Sequence, residues 1–235
     1  MAWTFGDEIK VLTGYDAMGS DDSVSGEDFY IHTNQWLKDA AKEVTHLLPD
    51  KLKQKCMTET TLNNSTPTMD MDGKGEILYV NRLSADSGGS RIPCRKIPSM
   101  YGELANDSNS LYKASVTDPV YWILSSGDAA ILNVIPTPTA NQTAIVYHIG
   151  YPSPANFHND TVIANFPDEA EYLVVLKAAI SATQHLLAIE EDIELYVPIL
   201  SSLKAQYQEG VYALKTGNLA APKKDVRIAQ EKGTK

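Results

Sequence analysis

Basic charge is what this sequence is shortest of: 30 acidic residues stand against 20 basic ones, for a formal net charge of −10. A general nucleic-acid binder needs a basic footprint to displace counterions, and so does a protein that docks on anionic lipid. Neither class fits. Cysteine is scarce too. Cys56 and Cys94 make no CxxC and imply no disulfide framework, so a reducing place of synthesis is expected. Long apolar runs are missing: Leu173–Ile189 is the most apolar stretch, and Lys177, Gln184 and His185 interrupt it. A membrane span wants about 20 nearly uninterrupted apolar residues, so this segment is expected to be a core helix, with no membrane partner. The opening "MAWTFGDEIKVLTGYDAMGSDD" has no basic stretch followed by an apolar one, so no signal peptide is expected. The Asn-x-Ser/Thr sites at Asn64, Asn106, Asn141 and Asn159 then carry no glycosylation meaning. There is no internal repeat and no extended low-complexity tract.

Chemistry is the next absence. "DMDGKGEILYVN" from Asp70 has acids at positions 1 and 3 and Gly75 at position 6 of a calcium loop. Lys74 and Asn81, however, stand where ligands are required, and a β-turn leading into a strand is the better reading. "SGGS" at 87–90 lacks the Lys-Ser/Thr of a phosphate loop and is expected to be a mobile hairpin tip. His32, His46, His148, His158 and His185 fall in different elements with no metal-ligand spacing, and each reads as a surface or boundary side chain. Glu190, Glu191, Asp192 and Glu194 look like a solvated corner between two helices. Ser125 and Ser126 lie in a hairpin turn, without the G-x-S-x-G of a nucleophile elbow. No catalytic, cofactor or metal residues are assigned, and no enzyme is expected.

Present instead is a change of period along the chain. After an acidic, turn-rich segment (1–24), "SGEDFYIHTNQWLKDAAKEVTHLLPD" places Ser25 and Asp28 at capping-box spacing. Phe29, Trp36, Leu37, Ala40, Val44, Leu47 and Leu48 then recur at helical spacing, and Pro49 ends the run. Between residues 57 and 165 the runs "GEILYVNRL", "RIPCRKI", "PVYWILSSGDAAILNVIP" and "QTAIVYHIGYP" read as an antiparallel sheet. Their clearest hairpin turns at Ser125–Asp128, and Pro136 and Pro138 close its second strand. Pro167-Asp168-Glu169 opens a helix with a broad apolar face. A second stripe runs from Ile193 to Leu214, with Pro198 as a kink or a start and Gly217 as the stop. The expected fold is α+β: a helical bundle of residues 25–56 and 166–216, with an inserted antiparallel β domain at 57–165, barrel or sandwich. Residues 217–235 read as a flexible basic arm.

The order of these elements resembles the head-to-tail connector proteins of tailed bacteriophages, also called adaptor or neck proteins. The likeness rests on Asp118–Tyr121, Pro136–Pro138, Tyr147–Pro152 and Pro167–Glu169, and spans roughly Asp28 to Leu214. It implies a structural protein of the virion neck, synthesised in the host cytoplasm. It implies a self-assembled ring, usually of twelve copies, between the portal protein and a tail or nozzle protein. DNA would pass through the lumen without specific binding. On this resemblance Tyr172, Leu176, Ile180, Leu200, Leu203 and Tyr207 are expected between subunits, so that the helix from Pro167 packs on its own chain and on the next copy. Residues 218–235 would reach the portal, with Lys223, Lys224, Val226, Arg227 and Ile228 in contact. Asp21, Asp22, Glu27 and Glu190–Glu194 would line the lumen and keep DNA sliding by repulsion.

Two other readings compete. One is a tail-completion or tail-terminator protein whose β part is the main assembly surface. The other is a cellular β-domain module binding a small ligand or glycan through Tyr121, Trp122 and Tyr147. Strand alternation puts Tyr121 and Trp122 on opposite faces, which counts against a shared platform.

Overall fold

The computed structural model describes residues 3–14, 26–84, 89–127, 129–189 and 193–217, without the side chains of 26–31 and 126. The expected Ser25/Asp28 cap, half of the 87–90 tip, residues 190–192 of the acidic corner and the arm from 218 lie outside these. The fold is α+β, with six helices and two four-stranded sheets among the described residues. It divides into two compact units, Met1–Lys55 with Pro152–Lys235 and Cys56–Tyr151.

The helical unit contains α1 (Phe5–Thr13), α2 (Gly26–Leu47), the single turn α3 (Asp50–Lys53), α5 (Asp168–Ile189) and α6 (Ile193–Thr216). Helix α1 falls in the segment expected to be turn-rich. Thr4 starts it: its hydroxyl accepts the Asp7 N–H at 3.2 Å, while the Asp7 carboxylate accepts the Thr4 N–H at 3.3 Å. That reciprocal cap outweighs the acidic composition. Helix α5 is the hub, packing against α1, α2 and α6. Eleven of its 22 residues are buried, on every side, so its apolarity is accounted for inside one chain. By length and composition it could cross a membrane, but 56% of its most apolar window is buried in this unit. The buried hydroxyls of Thr45 and Thr183 donate to the carbonyls of Ala41 and Ala179, which removes their desolvation cost.

The β unit ends at Tyr151, well before the expected 165. The reason is local. Phe157 is fully buried edge-on to Phe5, the Phe5 N–H donates to the Asp160 carbonyl, and Asn34 on α2 accepts the His158 N–H. These contacts bind residues 157–160 to the helices.

The strands are β1 (Met57–Leu62), β2 (Thr68–Asp70), β3 (Lys74–Leu83), β4 (Arg91–Pro93), β5 (Arg95–Lys96), β6 (Val120–Ser126), β7 (Ala129–Ile135) and β8 (Ala144–Gly150). One sheet runs β1-β8-β3-β4, the other β2-β7-β6-β5. The expected hairpin is β6–β7, with Ser126 opposite Ala129 and Gly127 at φ +62° in the turn. Neither sheet closes into a barrel. Leu62, Val80, Ala144 and Val146 of the first sheet share one core with Met69, Tyr121, Leu132 and Val134 of the second. Cys94 joins that core where the chain leaves one sheet for the other, and β5 then runs parallel to β6, not antiparallel as expected. The Asp70 stretch is a turn: its carboxylate accepts the Asp72 N–H at 2.9 Å between β2 and β3.

A short α4 (Gly102–Asn106) lies in the excursion between β5 and β6. Gly102 is needed there, because a Cβ would sit 2.5 Å from the Trp122 ring. Arg82 holds the β7–β8 connection from within. Its side chain is 1% exposed and donates to the carbonyls of Pro136, Thr137 and Leu83 and to the Gln142 side chain.

Candidate functional site

No group of three or more metal-ligating side chains occurs among the described residues. The features that stand out are surfaces, one of them concave. In the helical unit, α1, α5 and α6 enclose a cleft of about 380 Å³ lined by Glu8, Leu12, Tyr172, Val175, Leu176, Gln206, Glu209, Gly210 and Ala213. Gly210 shapes it: a Cβ there would stand 2.6 Å from Leu173 Cδ2 and 2.7 Å from the Tyr172 hydroxyl. The floor is apolar and the rim acidic. Glu171, beside the rim, accepts the Ile163 N–H at 2.6 Å, yet its pKa is raised, by burial first and then by the charges of Asp168 and Glu8. Tyr172 is likewise raised, by burial and by Glu209. Both shifts come first from burial, and the neighbouring carboxylates add to them.

The expected inter-subunit residues separate into three groups. Ile180 and Leu203 are buried within the chain, so intramolecular packing removes them from any interface. Tyr207 is half-buried in a polar tie across three helices. Its hydroxyl donates to Glu43 Oε1 at 2.9 Å, Lys177 Nζ lies 2.8 Å from Glu43 Oε2, and the ammonium sits over the Tyr207 ring. Burial and the Glu43 carboxylate both push the Tyr207 pKa up. Half-buried Tyr172 and Leu176, itself buried, line the cleft, and Leu200 is half-exposed on α6. The α5 helix offers little to a second copy. The expected portal-contacting residues Lys223, Lys224, Val226, Arg227 and Ile228 lie outside the described residues, as do Asp21, Asp22, Glu190, Glu191 and Asp192; Glu194 is exposed at the start of α6.

What sequence periodicity missed is how narrow the buried stripe of α6 is. Only Tyr196, Leu203, Gly210 and Leu214 of its 24 residues are buried. The first three are spaced by seven, the seam of a helix held along one line. Ile193, Leu195, Val197 and Tyr212 are exposed, Tyr212 by 70%, and Ile189 at the end of α5 is exposed as well. In the β unit, the excursion carrying α4 presents Met100, Leu104, Leu111 and Tyr112 outward, and Leu111 is 103% exposed. Tyr101 and Tyr112 stack there at 5.2 Å. The aromatic platform does not form: Tyr121 is in the core, Trp122 packs over Gly102, and Tyr147 stacks on Tyr79 at 4.3 Å.

Two histidines depart from the surface reading. His148 is buried between the Thr60 hydroxyl and the Ile149 carbonyl, and His158 is buried against the Asn34 side chain. His32 and His185, far apart in sequence, meet beside Trp36 with ring centroids 5.3 Å apart. Only the packing of α2 on α5 brings them together, so no local signal predicts it.

Comparison with protein-family models gives no match, and comparison with curated proteins gives none either.

Proposed function

We propose that the chain is a virion structural protein, a head-to-tail adaptor whose copies form a ring between portal and tail. On this reading α1, α2, α5 and α6 act as one bundle that builds the ring wall, and the inserted two-sheet unit serves as a second contact surface. No covalent chemistry is assigned to it. The observation that carries the reading is α6: one narrow stripe is spent inside the chain while Ile193, Leu195 and Val197 stay outside. Exposed aliphatic residues clustered at the start of one helix suit a contact with a second copy, and a heterologous contact that closes makes a ring. The number of copies, twelve, and the portal and tail partners come from the resemblance alone.

Mass determination of the purified chain, alone and mixed with a portal protein, tests this. A ring, or a complex with portal of ring stoichiometry, is expected. A chain that stays monomeric and leaves the portal protein unbound would refute it. The β unit favours a second reading, a tail-completion protein, because Leu111 and Tyr112 project from it like side chains made to enter a partner's pocket. Cross-links mapped in assembled particles separate the two: an adaptor touches portal, and a tail-completion protein does not.

A further inference from the structure

The cleft between α1, α5 and α6 has an apolar floor and an acidic rim. Helix α6 stops at Gly217, whose φ of +72° is the left-handed turn that directs a chain away from its helix axis. Ala213 lies about 6 Å of helix before that turn and Gln206 about 16 Å before it. The residues that follow, "NLAAPKKDVRIAQEKGTK", hold five basic side chains against two acidic ones, in a chain that is acidic as a whole. Val226 and Ile228 are their β-branched aliphatic residues, at alternate positions, with Arg227 between and Lys223 and Lys224 just before. Nine extended residues span about 30 Å, so Val226 reaches any part of the cleft.

We propose that this cleft is the docking site of the chain's own C-terminal arm, with Val226 and Ile228 against Leu12, Val175 and Leu176 and the basic residues along Glu8 and Glu209. Charge and shape agree. A small apolar floor of Leu, Val and Ala takes two aliphatic side chains, and a carboxylate rim takes the flanking cations. Tethering selects the arm of the same chain over that of another copy. A tether of about nine residues supplies an effective concentration of roughly millimolar, so an intrinsic affinity of about 1 mM already fills a large share of the clefts at micromolar protein. A partner that needs the arm must then compete with the cleft for it. The inference concerns the isolated protein and stands whether or not that partner is a portal.

Paramagnetic relaxation in the full-length chain tests it. Gln230→Cys carries a nitroxide, and Cys56 and Cys94, both buried, stay unlabelled. The methyl signals of Leu12, Val175 and Leu176 should lose about half their intensity or more, while those of the β unit do not. In about 0.5 M salt, where charges are screened within a few ångströms, the signals should recover in part. The arm variant Lys223→Glu/Lys224→Glu/Arg227→Glu leaves the helices untouched and should restore them. Cleft methyls unaffected by the label would overturn the proposal. So would broadening that appears when spin-labelled and isotope-labelled molecules are mixed, because the arm would then be visiting a second copy.

Discussion

Substituting Gly210 by alanine sets two effects of opposite sign against each other. Glycine inside a helix costs about 1 kcal/mol relative to alanine, so on propensity alone Gly210→Ala stabilises α6. The packing opposes this. The added Cβ would lie 2.6 Å from Leu173 Cδ2 and 2.7 Å from the Tyr172 hydroxyl, where carbon contacts prefer about 3.5–4.0 Å. Tyr172 is half-buried and can swing toward solvent, but Leu173 is 0% exposed and has nowhere to go. Either Leu173 leaves its rotamer or α6 moves out by about 1 Å, and overpacking of this kind costs roughly 1–3 kcal/mol. The overlap should win by about 1 kcal/mol, lowering the melting temperature of the helical unit by about 2–4 °C. Far-UV circular dichroism during thermal and urea unfolding reads this, since the helices dominate that signal. A double-mutant cycle identifies the cause. Leu173→Ala alone should cost about 2–5 kcal/mol, and in the Gly210→Ala background its cost should fall by about 1–2 kcal/mol, because the alanine fills the emptied space. A Gly210→Ala protein more stable than the parent, with no coupling to Leu173, would refute the close approach of α5 and α6.

The other predictions concern the β-unit interior, the loop on the helices and the outer face of α6. Arg82→Met should destabilise the β unit by about 3–5 kcal/mol, because four charge-assisted hydrogen bonds vanish from a buried position. Arg82→Lys should fall between, lacking the planar fork, and amide hydrogen exchange in β3 and β8 measures both. His158 titrates below its ordinary 6.5, chiefly because burial disfavours the imidazolium, with Asp160 acting weakly against that. The unfolded chain therefore takes up the proton first, so this contribution is full above about pH 6.5 and is lost as pH falls through the lower folded value. The urea midpoint of the helical unit should show that slope, and His158→Gln should flatten it. Ile193→Asp with Val197→Asp should abolish self-association in sedimentation while changing stability by no more than about 0.5 kcal/mol. Leu203→Ala should cost about 2–5 kcal/mol of stability. Loss of assembly by Leu203→Ala at unchanged stability would reverse the assignment of the two faces.

Legibility in the sequence followed the range of the interactions. The stripe Leu37, Ala40, Val44, Leu48 reads as a helix from spacing alone, and all four are buried. The β6–β7 hairpin reads from alternation around Gly127. Helix α1 was hidden because nine residues with Phe5 and Ile9 as apolar anchors give too short a period, and only Thr4 and Asp7 announce it. Strand β1, "MTETTL", was missed because it buries Leu62 alone, as an edge strand does. At the sheet change around Cys94 the chain pairs β4 with β3 only 8–12 residues back, but β5 with β6 25 residues on, and no local window contains that second partner.

The same limit explains where the site reading moved. Periodicity says that a helix face is apolar; it does not say who covers it. Helix α5 carries the stronger apolar signal, and its own chain covers it from three sides, so its composition says nothing about a second copy. Helix α6 carries the weaker signal, and there the apolar residues exceed what one neighbouring helix can take. The seam at Tyr196, Leu203 and Gly210 uses one line of the cylinder. Ile193 and Val197, one turn apart, define another line about a quarter turn around the helix from it, and both stay exposed. The informative quantity for assembly is the apolar surface that intramolecular packing leaves over, and among the described residues α6 and the stretch around Leu111 hold more of it than the greasiest helix, which leaves Ile189 exposed at its end.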